Sequence, residues 1–268
     1  MVDRPTFVVS DIHLRDDRES PLSTYFLDFV EEQGGRLVVV GDFAELYFCR
    51  CRKVVERHKR LLDRLHRMGT IIVPGNHDEK LFQKRAEHRL FESVRSPFIE
   101  KIGNVRIKFT HGHKADPFYR GRYLAKLRSL LVHLPILVFR HLLSRRMIPF
   151  YEIDRREYDY DRVVLGHSHD AGRYENWYYN CGTWAEQDRP KTFVRIEPSG
   201  AADVYEWDGA AWVPAAPLWP KSGSSPAYAT ATGMRLPAGG RASEQAATPF
   251  ILRAPRWRGL GLPPTFSF

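Results

Sequence analysis

Hydrophobic and polar positions follow two periods along this chain. "TFVVS" (Thr6–Ser10), "RLVVVGD" (Arg36–Asp42) and "GTIIVPGNHD" (Gly69–Asp78) contain short continuous apolar runs. Such runs predict strands buried on both faces. Between them, apolar residues recur at three- and four-residue intervals. "SPLSTYFLDFVEEQGG" predicts a helix with Ser20 as N-cap, Pro21 in the first helical position and Gly34-Gly35 as its stop. Leu22, Tyr25, Phe26, Phe29 and Val30 form its apolar face. The stretch from Arg50 to Met68 predicts a second helix, with Val54, Val55, Leu61, Leu62, Leu65 and Met68 on one side and a basic opposite side. This βαβαβ order implies parallel strands joined by right-handed crossovers.

The pattern then changes. "FIEKIGNVRIKFTHG" predicts a hairpin turning at Gly103-Asn104. "DRVVLGHSHD", "NWYYNCGTW", "KTFVRIEP" and "ADVYEWDG" predict further strands, the last two paired around "PSGA". The simplest architecture for this order is two packed mixed sheets with helices outside.

One segment fits neither pattern. "YLAKLRSLLVHLPILVFRHLLSRR" (Tyr123–Arg146) is apolar and basic at once, and no Asp or Glu occurs from Pro117 to Tyr151. His133, Pro135 and Arg140 interrupt the apolar run well short of the roughly 20 residues that a membrane span needs. Leu124, Leu127, Leu131 and Leu134 share one helical face, and Pro135 disfavours continuing that helix. Ile136, Phe139, Leu143 and Met147 line a second helix, with Arg140, His141, Ser144 and Arg145 on its other faces. A basic amphipathic helix pair at an interface fits this pattern.

Composition adds three constraints. The formal charge of +9 makes an anionic partner plausible: nucleic acid, anionic lipid or a phosphorylated small molecule. Three cysteines, Cys49, Cys51 and Cys181, do not make a disulfide framework, which points to a reducing, cytoplasmic setting. The opening "MVDRPTFVVS" runs straight into a strand, so no leader is expected. From about residue 215 the chain turns rich in Ala, Pro, Gly and Ser. That composition predicts a disordered 215–268 tail behind a 1–214 folded domain.

The candidate chemistry sits at the ends of the predicted strands. "SDIHL" supplies Asp11 and His13, "GDF" Asp42, "GNHD" Asn76, His77 and Asp78, "THGH" His111 and His113, and "GHSH" His167 and His169. Alternate residues at a strand end point the same way, so Asp-x-His and His-x-His can meet one ion or two neighbouring ions. Asp42 could bridge two cations through its two oxygens. Imidazole, carboxylate and Asn carbonyl ligands suit Mn2+, Fe or Zn2+ better than Ca2+. A pair of divalent ions favours phosphoester hydrolysis.

The order D-x-H, G-D, G-N-H-D, H, G-H-x-H resembles that of the calcineurin-like metallophosphoesterases, over roughly Pro5 to Trp207. The resemblance implies an α/β, four-layer αββα sandwich of two mixed β-sheets with a binuclear centre. Carried over by position, Asp11, His13 and His169 would hold one metal and Asn76, His111 and His167 the other, with Asp42 bridging. His77 would stand beside the scissile phosphate, oriented by Asp78. His113 would contact substrate, replace His111 as a ligand, or support the ligands from behind.

The helical insertion at about 117–150, with "SDIHL" and "GDFAELYF", is also similar to the UDP-2,3-diacylglucosamine diphosphatases of lipid A biosynthesis. That similarity implies a Mn2+-dependent hydrolase, peripheral on the inner face of the membrane. Its cap would place Arg122, Lys126, Leu127, Leu131 and Phe139 against substrate. Well-known members of that subgroup carry Arg and Asp where this chain has His77 and His113. A soluble phosphodiesterase or nuclease of the same superfamily is the alternative, with the basic Arg50–Met68 face along a nucleic-acid backbone. A non-enzymatic scaffold is a third reading, disfavoured because every expected ligand position is filled.

Overall fold

The computed structural model describes residues 3–79, 95–116 and 136–215. Of the expected substrate contacts, Arg122, Lys126, Leu127 and Leu131 lie outside the described residues, as does the side chain of Phe139. The 215–268 tail lies outside them beyond Ala215.

The first sheet has the order β11-β10-β9-β1-β2-β3. Its strands are β1 (Thr6–Val9), β2 (Arg36–Val40), β3 (Ile71–Val73), β9 (Thr192–Ile196), β10 (Ala202–Trp207) and β11 (Trp212–Pro214). β1, β2 and β3 are parallel, with Val8 opposite Val38 and Val39 opposite Ile72, while β9 joins β1 antiparallel. The second sheet runs β4-β5-β6-β8-β7. It contains β4 (Phe98–Ile102), β5 (Val105–Phe109), β6 (Arg162–Leu165), β7 (Gly172–Tyr174) and β8 (Tyr178–Asn180). Both sheets are mixed.

Alternation along the strands sorts the core into layers. Phe7, Val9, Leu37 and Val39 face helices α1 (Thr24–Glu32), α2 (Cys51–Arg57) and α3 (Lys59–Arg67), and pack with Phe26, Val30, Val54, Leu62 and Leu65. Val8, Val38 and Val40 point the other way and meet Ile107, Phe109 and Val164 of the second sheet. Val163 and Leu165 cover Leu143, Met147 and Tyr151 of α4 (Ile136–Glu157). The result is the four-layer αββα sandwich with two mixed sheets. The layer that carries the chemistry is the ridge where β1, β2, β3, β5 and β6 end together.

Local readings needed correction where distant groups intervene. The N-cap of α1 is Ser23, whose hydroxyl accepts from Phe26 N, and Ser20 instead caps a turn by accepting from Leu22 N at 3.1 Å. Tyr25, expected on the buried face, is exposed, and Leu27 is buried in its place. The single helix expected from Arg50 to Met68 is two helices, broken at His58. The His58 ring reaches the Arg15 carbonyl at 2.7 Å, a contact that the residues around it do not encode.

Helix α4 also runs past the expected end of the cap at residue 150, through Pro149, to Glu157. Ser144, expected off the apolar face of its helix, is fully buried and donates to Ser168 Oγ at 2.7 Å. Two strands of three residues, β7 and β11, went unanticipated; β3 and β8 are as short, but each lies in a longer run of β-branched or aromatic residues than GRY or WVP offers.

Candidate metal centre

Short loops after β1, β2, β3, β5 and β6 deliver the candidate ligands to one place, as expected for a site at the strand ends of an α/β sheet. The loops hold unusual backbone. Among the described residues, seven non-glycine residues have positive φ, and five of them are Asp11, His13, Asp42, His167 and His169. Such conformations cost of order 1–3 kcal/mol each and persist only where surroundings over-determine them. Hydrogen bonds from one loop to the next do this. Asp11 N donates to Gly41 O at 3.0 Å, His13 N to Asp42 O at 2.8 Å, and His167 N to Asp11 Oδ2 at 2.9 Å. Close approach also requires glycine. A Cβ on Gly166 would overlap Ser10 Oγ and Asp11 Oδ2. The Gly that precedes each of Asp42, Asn76 and His167 is thus what lets neighbouring loops touch.

The expected ligands form two clusters, Asp11–His13–His169 and Asp42–His111–His167, and a third cluster of ligand type, His13–Glu45–His77, shares His13 with the first. His169 Nε2 comes within 3.0 Å of Asp11 Oδ1, and His111 Nε2 within 3.2 Å of Asp42 Oδ2. Asp42 Oδ1 accepts from His77 N at 2.9 Å, so Oδ2 is the oxygen that faces both clusters, 3.8 Å from His13 Nε2.

Each ring is oriented by a group that can only accept. His13 Nδ1 faces Glu45 Oε2 at 3.1 Å, His111 Nδ1 faces the Val40 carbonyl at 3.0 Å, and His169 Nδ1 faces Glu186 Oε1 at 2.8 Å. His167 is held at its other nitrogen, with Nε2 3.0 Å from Asp116 Oδ2. Carboxylates and carbonyls accept, so these nitrogens donate and the opposite ones present lone pairs to the centre. Asp11 Oδ1, His13 Nε2, Asn76 Oδ1 and His111 Nε2 are buried without a well-directed hydrogen bond, since the approaches of His169 to Asp11 and of His111 to Asp42 are close but misaligned. Orphaned buried polar atoms are costly and rare, and here they are the atoms that a cation would engage. The donor set therefore fits divalent metals.

The electrostatics agree. Burial alone would raise the Asp11 carboxyl, but His169 and His111 hold it well below the ordinary range. Asp42 is likewise held down, against burial, by His111 and His13. Burial would lower the His13 ring, yet Asp11, Glu45 and Asp42 raise it to about 10, and Asp42 and Asp11 raise buried His111 to about 9. Negative potential that captures protons in this way also favours cations.

His77 lies at the open side of the centre. Its Nδ1 is 2.8 Å from Glu45 Oε1 and its Nε2 3.7 Å from Asp42 Oδ2. Asp78, expected to orient His77, does something else. Its buried carboxylate accepts from Gly75 N at 2.6 Å, Phe43 N at 2.7 Å and Ala44 N at 3.2 Å, which pins the β2 and β3 loops together. Glu45 is the residue that orients His77, and it holds His13 with its other oxygen. His113 is buried, with Nε2 3.2 Å from Glu79 Oε1 and its ring 5.5 Å from that of His111. Of the two histidines in "THGH", His111 is the one that reaches Asp42.

Sequence reasoning missed Glu45, Asp116 and Glu186. Glu45 follows Asp42 by three residues in "GDFAEL", a signal that could have been used. Asp116 and Glu186 offer none, because the ring each supports lies 51 and 17 residues away in sequence. Tyr47 was also missed; its half-exposed ring lies 4.4 Å from that of His77.

Residues 4–181 match the family model described as calcineurin-like phosphoesterase. No curated protein matches the chain. Among solved structures, it is similar to Vps29 from Entamoeba histolytica complexed with Zn2+ (17% identity, 79% of this chain and 97% of that one, TM-score 0.45). It is also similar to Vacuolar Protein Sorting 29 from Cryptosporidium parvum (16% identity, 79% and 95%, TM-score 0.47). A third is a protein from Streptococcus pneumoniae described as a predicted phosphoesterase (14% identity, 79% and 87%, TM-score 0.37).

Proposed function

The chain belongs to the calcineurin-like phosphoesterase family, and we propose that it hydrolyses a phosphate ester or diphosphate bond in a lipid- or nucleotide-linked substrate, UDP-2,3-diacylglucosamine or a close chemical relative. The observation that carries the hydrolytic reading is the convergence of orphaned ligand atoms beside an oriented, partly open His77. Asp11, His13 and His169 would hold one ion and Asn76, His111 and His167 the other, with Asp42 shared between them. Divalent ions, Mn2+ in this proposal, supply Lewis acidity toward the phosphoryl group and activation of water.

The chain's own residues do the rest. Glu45 accepts from His77 Nδ1–H, which keeps the ring facing the centre with Nε2 forward. As the bond between water oxygen and phosphorus forms, that water's proton passes to solvent; as the bond to the leaving oxygen breaks, His77 Nε2 gives its proton to that oxygen. The ring is partly exposed, at 23%, so solvent can return the proton.

The substrate class is supported by sequence and by the anchoring of α4. The acid-free stretch ends inside this helix. There Ser144 bonds Ser168 of "GHSH", and Met147 lies against Gly112 of "THGH". The segment is thus tied at its end to two ligand loops, and its basic, apolar character suits an anionic substrate that bears acyl chains. Among the described residues no helix is long and apolar enough to cross a membrane, so contact with an anionic bilayer would be peripheral. The nucleic-acid alternative is weaker on the basic face, because Arg52, Arg57 and Arg64 are engaged by Glu56, Glu19, Asp28 and Glu31.

The test is turnover with Mn2+ against UDP-2,3-diacylglucosamine, nucleotide diphosphate sugars, a chromogenic phosphodiester and DNA. Preference for the acylated substrate, lost selectively in a Leu127→Ser/Leu131→Ser/Phe139→Ser variant, is expected. Equal losses on acylated and chromogenic substrates would sink the lipid assignment, and preferred cleavage of DNA would establish the alternative.

A further inference from the structure

The loop after β8 holds one half of the metal centre. Asp11 and His169 both adopt positive φ, at 52° and 59°. The Asp11 carbonyl accepts from Trp184 N and Ala185 N, each at 3.1 Å, and from Thr183 Oγ1 at 3.0 Å. The same loop then turns back to His169. Glu186 Oε1 accepts from His169 Nδ1 at 2.8 Å, while Glu186 Oε2 pairs with Arg189 Nε at 3.1 Å. Arg189 also donates to the His169 carbonyl at 3.2 Å. Lys191 donates to the carbonyls of Trp184 and Glu186, which closes the loop on itself. The residues that the loop contributes, Thr183 to Lys191, lie beyond residue 181, where the family match ends.

We propose that Glu186 and Arg189 are a positioning pair that sets the affinity of the metal position formed by Asp11, His13 and His169, and leaves the other position untouched. The inference rests on the two-ion reading above. Without an acceptor at Nδ1, the His169 ring can rotate, or move its proton to Nε2 and lose the lone pair that faces Asp11. Arg189 fixes both ends of this contact, because it holds the Glu186 carboxylate and the His169 backbone at once. Selectivity follows from where the other rings are anchored. His111 depends on the Val40 carbonyl and His167 on Asp116, neither of which belongs to this loop.

The experiment is Mn2+ titration of the chelator-stripped full chain, with the free ion followed by electron paramagnetic resonance. Wild type should bind two ions. Glu186→Ala should weaken one class of site by about 10–100-fold and leave the other unchanged. Glu186→Gln, which keeps an acceptor oxygen but no charge, and Arg189→Ala should weaken the same class less. Combining Glu186→Ala with His169→Ala should add nothing to His169→Ala alone, since both act on one contact. Unchanged binding in Glu186→Ala and Arg189→Ala, or equal weakening of both classes, overturns the proposal. Fewer than two ions in wild type overturns the two-ion reading instead. If Glu186→Ala does not fold, Glu186→Gln and Arg189→Ala decide by the same criterion.

Discussion

Gly41→Ala isolates what close packing contributes to the metal centre. Gly41 has φ +97°, and a Cβ there would overlap the imidazole of His111. Two costs add. A left-handed backbone costs an L-residue about 1–2 kcal/mol, and overpacking a filled site costs about 1–3 kcal/mol. The sum, about 2–5 kcal/mol, is a large share of the 5–15 kcal/mol that typically separates folded from unfolded chains. Gly209 supplies the control, because it has φ +101° and nothing within 4 Å of a Cβ. Gly209→Ala should carry only the backbone cost, about 1–2 kcal/mol. Urea unfolding of both variants with chelator present measures the difference, which should be the packing cost. Metal analysis of the folded proteins should show that Gly41→Ala loses the ion held by His111, while Gly209→Ala keeps both. Equal stabilities within about 0.5 kcal/mol, the usual scatter of surface substitutions, and full metal content in both would refute the reasoning.

Four further outcomes are expected. Asp42→Ala or Asn76→Ala should abolish metal-dependent hydrolysis with loss of bound metal, and retained turnover would be incompatible with a two-ion centre. His77→Asn should lower kcat by about 10²–10⁴ with metal content unchanged; parallel loss of metal would make His77 a ligand. In the metal-free chain, partner carboxylates raise His13 to about 10 and His111 to about 9. A raised folded-state value contributes stability that is complete below the unfolded value, about 6.5, and is lost as pH climbs through 9–10. Thermal unfolding with chelator should therefore fall in Tm from pH 7 to pH 10, and the fall should shrink with Mn2+, which replaces the protons. Met147→Ala should cost about 2–5 kcal/mol, because Met147 is fully buried between α4 and the second sheet; urea midpoints would measure it.

The legible part of this protein is the part encoded locally. Strands β1, β2 and β3 announce themselves because Leu-, Ile- and Val-rich runs have few other places to go. The β4–β5 and β9–β10 hairpins are written in their turns. The candidate ligand set is legible for the same reason: each of Asp11, Asp42, Asn76, His111 and His167 follows an apolar run, and strand ends in such a sheet meet. What the tertiary structure alone decided are contacts of long sequence separation. Asp78 left His77 for the Phe43, Ala44 and Gly75 amides because three N–H donors converge on it. Glu45 took its place because the β2 loop lies against both His13 and His77. The break at His58 was set by a carbonyl 43 residues away, and the support of His167 by a carboxylate 51 residues away. No local pattern carries such pairings, because they exist only after the sheets have brought the loops together. The sequence by itself therefore named the side chains that converge on the candidate centre, and the fold chose the groups that orient them.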